Sequence, residues 1–269
     1  MLGNLARLLR YRALIQSLVA RELKARYRGS VLGFFWSFIN PLTLLLIYTF
    51  VFSYVMPAAA IEGGAVKNYS LFMFCGLLPW TWFASSLNEA SGVLISGGNL
   101  IKKVLFPAEI LPIVTVTANM IHFFLALPIL VVFLVYYQAP LTAGELLCFP
   151  LVVLVQFIFT LACALILSAL TVHFRDIKDI LSNVLTLWFF ATPIIYPYLH
   201  MPEKAQAFKK YLNLNPFTHI AISYQEILFF SGPFGHWKWL AALGGASVAF
   251  FLAAYWIFDR LRDSFAEEV

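Results

Sequence analysis

Residues 21–56 read RELKARYRGSVLGFFWSFINPLTLLLIYTFVFSYVM: a basic opening, then an uncharged, largely apolar run from Val31 to Met56. About 20 apolar residues cross the ~30 Å hydrocarbon core of a bilayer, so this run is long enough to traverse one with some tilt. Asn40-Pro41 lies inside it. Proline removes an amide donor and crowds the preceding turn, which predicts a kink that neighbouring helices must satisfy.

Working outward, the composition agrees. The chain has 269 residues, 62% hydrophobic and 12% charged, against about 25% charged in a soluble domain. The apolar surplus has to face lipid. The net charge of +5 is carried by residues flanking apolar runs, which points to membrane placement and away from nucleic acid. Cys75, Cys148 and Cys163 are dispersed in apolar segments without metal-ligand spacing and read as packing residues. Ala58-Ala59-Ala60 resembles a cleavage site, but the preceding apolar run is about twice the ~7–15 residues of a signal-peptide core, so the span is read as retained.

Residues 2–28 read as an amphipathic helix. Arg7, Arg10, Arg21, Lys24 and Arg28 share a sector of about 100°, with leucines and other apolar residues opposite, while Arg12, Glu22 and Arg26 break the pattern. Such a helix lies in the bilayer interface, either as a topology anchor or with its basic face towards lipid phosphate or a partner. Six spans are expected, over 31–56, 69–91, 108–137, 143–171, 178–199 and 238–258. An even number places both termini on one side. Seven Lys and Arg precede the first span, and two lie in each of the 92–107 loop, the 172–180 loop and the tail. Five lie opposite. Both termini are therefore expected in the cytoplasm. The expected fold is an all-α integral membrane protein, one transmembrane domain over 1–269.

Two connections are unlike plain loops. Residues 97–106 follow Gly97-Gly98, with Asn99 positioned to cap a short helix and Pro107 to end it. That helix would carry Leu100, Ile101, Val104, Leu105 and Phe106 beside Lys102 and Lys103, as knobs for another protein's groove or as packing against the chain's own bundle. Residues 200–230 hold an apolar stretch, Phe217 to Phe230, too short to span and suited to a re-entrant or interfacial helix after Asn215-Pro216. It reads as a gate or as a functionless external flap.

Catalytic chemistry is sparse. Gly97 to Lys103 lacks the spacing of a phosphate cradle, and no cluster has metal-ligand spacing. His173-Phe174-Arg175-Asp176 sits in a short turn with no second cluster, the pattern of a helix end more than of an acid–base site. Mid-span polar residues are mostly neutral: Asn40, Asn119, Gln156 and Asn183, with His122 read as a packed, hydrogen-bonded histidine. Their neutrality argues against an ion-coupled carrier. Any energy input has to come from another chain or from an ion gradient.

RELKARYRGSVLGFFWSFINPL, NLIKKVLFPAEILP, FRDIKDIL, TPIIYP and LNPFTHIAISYQEILFF, in this order, resemble the permease subunit of ABC-type polysaccharide exporters, a family handling O-antigen, capsule and teichoic acid. The resemblance implies a homodimer in the bacterial inner (plasma) membrane, with two copies of a separate ATPase subunit that holds ATP and Mg. It implies a channel for a polymer on undecaprenyl pyrophosphate. By position, Arg21, Lys24, Arg26 and Arg28 would meet the lipid head group. Asn99, Leu100, Ile101, Lys102, Lys103, Leu105 and Phe106 would belong to the ATPase-coupling helix. Phe34, Trp36, Phe38, Trp188 and Phe189 would line the glycan path, and Tyr196, Asn215, Pro216 and Tyr224 the external gate. No catalytic residue, cofactor or metal is expected in this chain. The competing readings are a drug or small-lipid exporter permease and a membrane-embedded glycan-modifying enzyme.

Overall fold

The computed structural model describes residues 11–55, 68–102, 106–139, 143–198, 201, 206–230 and 232–268. Among them every regular element is helical. In chain order these are α1 (Arg12–Arg26), α2 (Trp36–Phe50), α3 (Tyr69–Ser96), α4 (Gly98–Ile101), α5 (Ile110–Tyr136), α6 (Ala143–Leu146), α7 (Phe149–His173), α8 (Ile177–Phe190), α9 (Lys209–Leu212), α10 (Pro216–Leu228), α11 (Trp237–Leu261) and α12 (Phe265–Glu268).

The bundle is built around α3. Its first half, Tyr69 to Trp80, is buried on every side, and α2, α5, α7, α8 and α10 all pack against the helix. With no water to expel between lipid-immersed helices, such packing rests on close fit and dispersion. Small residues supply the fit. At Gly76 a Cβ would lie 3.1 Å from the Gln225 amide and 3.5 Å from Ile194, which lets the turn after α8 and the flank of α10 approach α3. At Gly244 a Cβ would meet Val155 at 3.3 Å, where α11 lies along α7.

Among the described residues five segments are long and apolar enough to cross a membrane: Gly33–Phe50, Tyr69–Ser96, Ile110–Tyr136, Gly144–His173 and Trp237–Ser264. The fifth expected crossing, 178–199, is shorter than its apolar run. α8 has 14 residues and closes at Phe190, a length of about 21 Å. Thr192, Pro193 and Ile194 then turn the chain back, and proline at that point cannot donate a continuing helical bond. Pro41 stays within α2, and beyond Phe50 the helix widens into a π turn over Val51–Val55. The expected helix over 2–28 is described from Arg12. It rests on α5 by a narrow apolar edge, Leu18 and Val19 against Ile110, Val114 and Ala118. Arg7 and Arg10 lie outside the described residues.

Candidate functional site

The end of α1 turns inward onto the bundle. Arg26 Nη2 donates to both oxygens of Glu89 on α3, at 2.8 Å each. Its Nη1 donates to Asn119 Oδ1 on α5 at 3.2 Å, and Asn119 Nδ2 donates to Glu89 Oε2 at 2.7 Å. Three helices are thus tied by one closed, charge-compensated ring. The next residue, Tyr27, makes a second tie: its hydroxyl bonds Ser37 at the start of α2 and His122 Nδ1 on α5 at 3.0 Å. Arg21, Lys24 and Arg28 are exposed too, and have no ion pair among the described residues.

These two ties frame a cavity of about 500 Å³ between α1, α2, α3 and α5, walled by Trp36, Trp82 and Phe123. Trp82 and Phe123 stack at 5.3 Å. Of the five aromatic residues expected along the glycan path, Phe34, Trp36 and Phe38 lie at this end, the first two exposed. Trp188 and Phe189 lie elsewhere. They belong to a packed aromatic cluster with Trp80, Phe83, Phe159 and Phe217.

The described part of the expected coupling segment holds a single turn, α4, starting at Gly98, one residue before the expected cap Asn99; no side chain caps it. Leu100, Ile101 and Phe106 pack against the main core, while Asn99 and Lys102 are exposed. Lys103, Val104 and Leu105 lie outside the described residues. The apolar side chains that are described face the chain's own bundle, because the turn sits directly against α3 and the C-terminal α12. His173 is likewise structural: its Nε2 meets Ser264 Oγ at 3.3 Å and its ring faces Phe265.

At the other end, Asn215 joins the turn after α8 to the start of α10. Its Oδ1 accepts from Trp188 Nε1 at 2.7 Å and from the Phe217 amide at 3.0 Å. Its Nδ2 donates to the Ala191 carbonyl at 3.0 Å and to Thr192 Oγ1 at 2.9 Å. It caps α10 while Pro216 takes the first helical position, where a missing amide costs nothing. α10 itself is almost wholly buried among α3, α7 and α11. Tyr224 lies fully within it, between Phe123 and Phe149, and Tyr196 donates to the Phe190 carbonyl at 3.3 Å.

A histidine pair closes α10 onto α11. His219 Nε2 meets the Asn213 carbonyl at 3.0 Å, which only accepts, so the neutral His219 ring accepts at Nδ1 from His236 Nε2, 2.8 Å away. Trp239 stacks on His219 at 4.9 Å, and the His236 amide donates to Glu226. Burial, reinforced by neighbouring His219, lowers the His236 pKa from 6.5 to about 4. The folded state therefore prefers the neutral ring, and the unfolded chain takes up the proton first as pH falls. The stabilisation is complete above pH 6.5 and is lost as pH falls towards 4. The thermal midpoint of the purified protein is expected to drop across that window, and His236→Gln to flatten the drop; equal pH profiles would exclude His236 as its source.

Glu89, Asn119 and Tyr27 escape a reading of motifs. The available signal was Glu89 itself, an acid in an apolar helix that needs a cation within reach.

The architecture is that of a polytopic membrane protein with a polar vestibule at one end and a tied turn at the other. The chain belongs to the ABC-2 type transporter membrane family, whose profile matches residues 13–229; it is a transport component and not an enzyme. It is 43% identical to the O-antigen export system permease protein RfbA of Myxococcus xanthus over 263 residues, 97% of each chain. It is 33% identical to RfbA of Klebsiella pneumoniae, over 92% of this chain and 91% of that one. The polysialic acid transport protein KpsM of Escherichia coli is 24% identical over 77% of each chain.

Proposed function

We propose that this chain is the channel-forming permease subunit of an ATP-driven exporter, moving undecaprenyl-pyrophosphate-linked polysaccharide, O-antigen or similar, from the cytoplasm across the inner membrane. The observation that carries the reading is the near full-length likeness to O-antigen export permeases. The exposed cations Arg21, Lys24 and Arg28 beside a polar vestibule support it, since lipid pyrophosphate needs charge-assisted donors at the membrane surface.

In this reading α8 and the turn after it make a sixth crossing, both termini are cytoplasmic, α1 lies in the interface, and α9 with the re-entrant α10 forms the external gate. Two copies of the chain meet two copies of an ATPase that holds ATP and Mg. Two features of α8 support a dimeric channel. Ile180, Val184 and Leu187 are exposed and apolar, a face for lipid or a second copy. Ser182, Asn183 and Thr186 are exposed and polar, which suits a water-filled path better than hydrocarbon. The turn at 97–106 receives the push from the ATPase, with Asn99 and Lys102 as its exposed contacts.

Proteoliposomes holding this chain with its ATPase are expected to move lipid-linked O-polysaccharide in an ATP-dependent way, and those holding this chain alone to move none. ATP-independent movement at full rate by the single chain would refute the reading.

A further inference from the structure

The vestibule has a charge balance that a phosphate site does not. Its one cation among the described residues, Arg26, spends both guanidinium arms on Glu89 and Asn119. An entering phosphate would have to displace a bidentate carboxylate. What the cavity offers is neutral. The Asn40 amide and the Ser85 hydroxyl line it and have no hydrogen-bond partner among the described residues. The rings of Trp36, Trp82 and Phe123 form its apolar wall. Amide and hydroxyl groups set against aromatic faces match a pyranose, whose hydroxyl edge needs donors and acceptors and whose C–H faces lie on rings. The volume of about 500 Å³ is of the size that holds a small organic ligand.

A second depression of about 390 Å³ adjoins the first across Tyr27. It is lined by Leu23, Phe34, Ile121 and Leu125, with Lys24 as its charged group. Tyr27 is a fixed partition, since Ser37 and His122 hold its hydroxyl. One side is apolar with an exposed cation; the other is neutral, polar and aromatic.

We propose that the cavity between α1, α2, α3 and α5 is a saccharide subsite, which takes the sugar next to the anion of a lipid-linked glycan. The lipid and its anion occupy the Leu23–Leu125 depression at Lys24, and the sugar reaches round Tyr27 to Asn40, Ser85 and the Trp82–Phe123 stack. The inference rests on the exporter reading and adds to it a site that reads the glycan itself.

The test uses the full transporter, this chain with its ATPase in nanodiscs, and two soluble probes: citronellyl pyrophosphate, and the same pyrophosphate carrying N-acetylglucosamine. The sugar-bearing probe is expected to bind about tenfold more tightly, the equivalent of one or two good hydrogen bonds with ring contact. Ser85→Phe, which fills the cavity, is expected to erase that difference and leave the sugarless probe unchanged. Asn40→Ala, which removes the amide without filling space, is expected to remove part of it. Lys24→Glu is expected to weaken both probes alike. Equal affinity of the two probes for the wild type, or equal weakening of both by Ser85→Phe, would overturn the subsite while leaving the exporter reading standing. Failure of both probes to bind a transporter that still exports would remove the head-group assignment at Lys24 together with the subsite.

Discussion

Asn215→Leu is expected to abolish export and to lower the thermal midpoint by several degrees, because one side chain makes four hydrogen bonds that leucine, with the same branching but no polar atom, cannot make. Two losses dominate. The cap of α10 is worth about 1 kcal/mol. Trp188 loses the acceptor of its indole N–H, and a stranded donor of this kind costs about 1–3 kcal/mol. The total, about 3 kcal/mol, is well above the ~0.6 kcal/mol of an average interhelical bond in a membrane protein. Asn215→Ser separates the parts: it retains a capping oxygen but is too short for the reach to both Trp188 and Ala191. An intermediate midpoint is expected for it. Unchanged melting and ATP-dependent export in Asn215→Leu would show that the turn after α8 holds without this bridge.

Five of the six expected spans recur as long apolar helices among the described residues, because lipid imposes a simple rule on composition, and long uncharged runs have few other uses. Helix ends were less readable. The apolar run that suggested 178–199 ignores where backbone bonding stops, and α8 closes at Phe190 three residues before Pro193. At 97–106 the residue types were right for a short helix, but their orientation depends on what lies beneath the turn. Leu100 and Ile101 face inward because α3 and α12 are there to receive them. The vestibule shows the same limit more sharply. Arg26 was legible as one more cation in a basic segment, whereas its partner Glu89 is 63 residues away and Asn119 is 93 away. Helical phase does set Arg26 apart, since it falls outside the sector shared by Arg21, Lys24 and Arg28, but phase names neither Glu89 nor Asn119 as its partner. Asn215 was visible as a helix break, since Asn-Pro ahead of an apolar run has a local meaning. Its ties to Trp188, Ala191 and Thr192 come from the turn that folds α8 back over α10.

Phe83→Ala is expected to have the second large effect, through volume and not through polarity. Phe83 is fully buried on α3. Its ring lies 4.8 Å from Phe217 on α10, 5.2 Å from Trp188 on α8, 5.5 Å from Trp80 and 5.8 Å from Phe159 on α7. Four helices therefore share one ring. In water, Phe→Ala in a core costs about 3–5 kcal/mol, part for transfer from solvent and part for the cavity left behind. Separated helices in a bilayer keep their apolar side chains in hydrocarbon, so the transfer part shrinks and the cavity and lost dispersion remain. The expected cost is about 3 kcal/mol, at the low end of that range. Trp80, Trp188 and Phe217 form their own ring contacts around the gap, Trp80 with Phe217 at 5.0 Å among them, and they hold fixed positions that keep it from collapsing. The functional result follows from which elements are loosened. α8 and α10 lose their shared seat on α3, while α4 and the turn at 97–106 are untouched. The variant is expected to co-purify with its ATPase and to permit ATP hydrolysis, but to export little. Phe83→Leu, which restores most of the volume, is expected to recover stability and export together. If Phe83→Leu proved as damaging as Phe83→Ala, packing volume would not be the cause; a Phe83→Ala midpoint within a degree of wild type would show that the aromatic cluster does not hold α8 and α10 on α3.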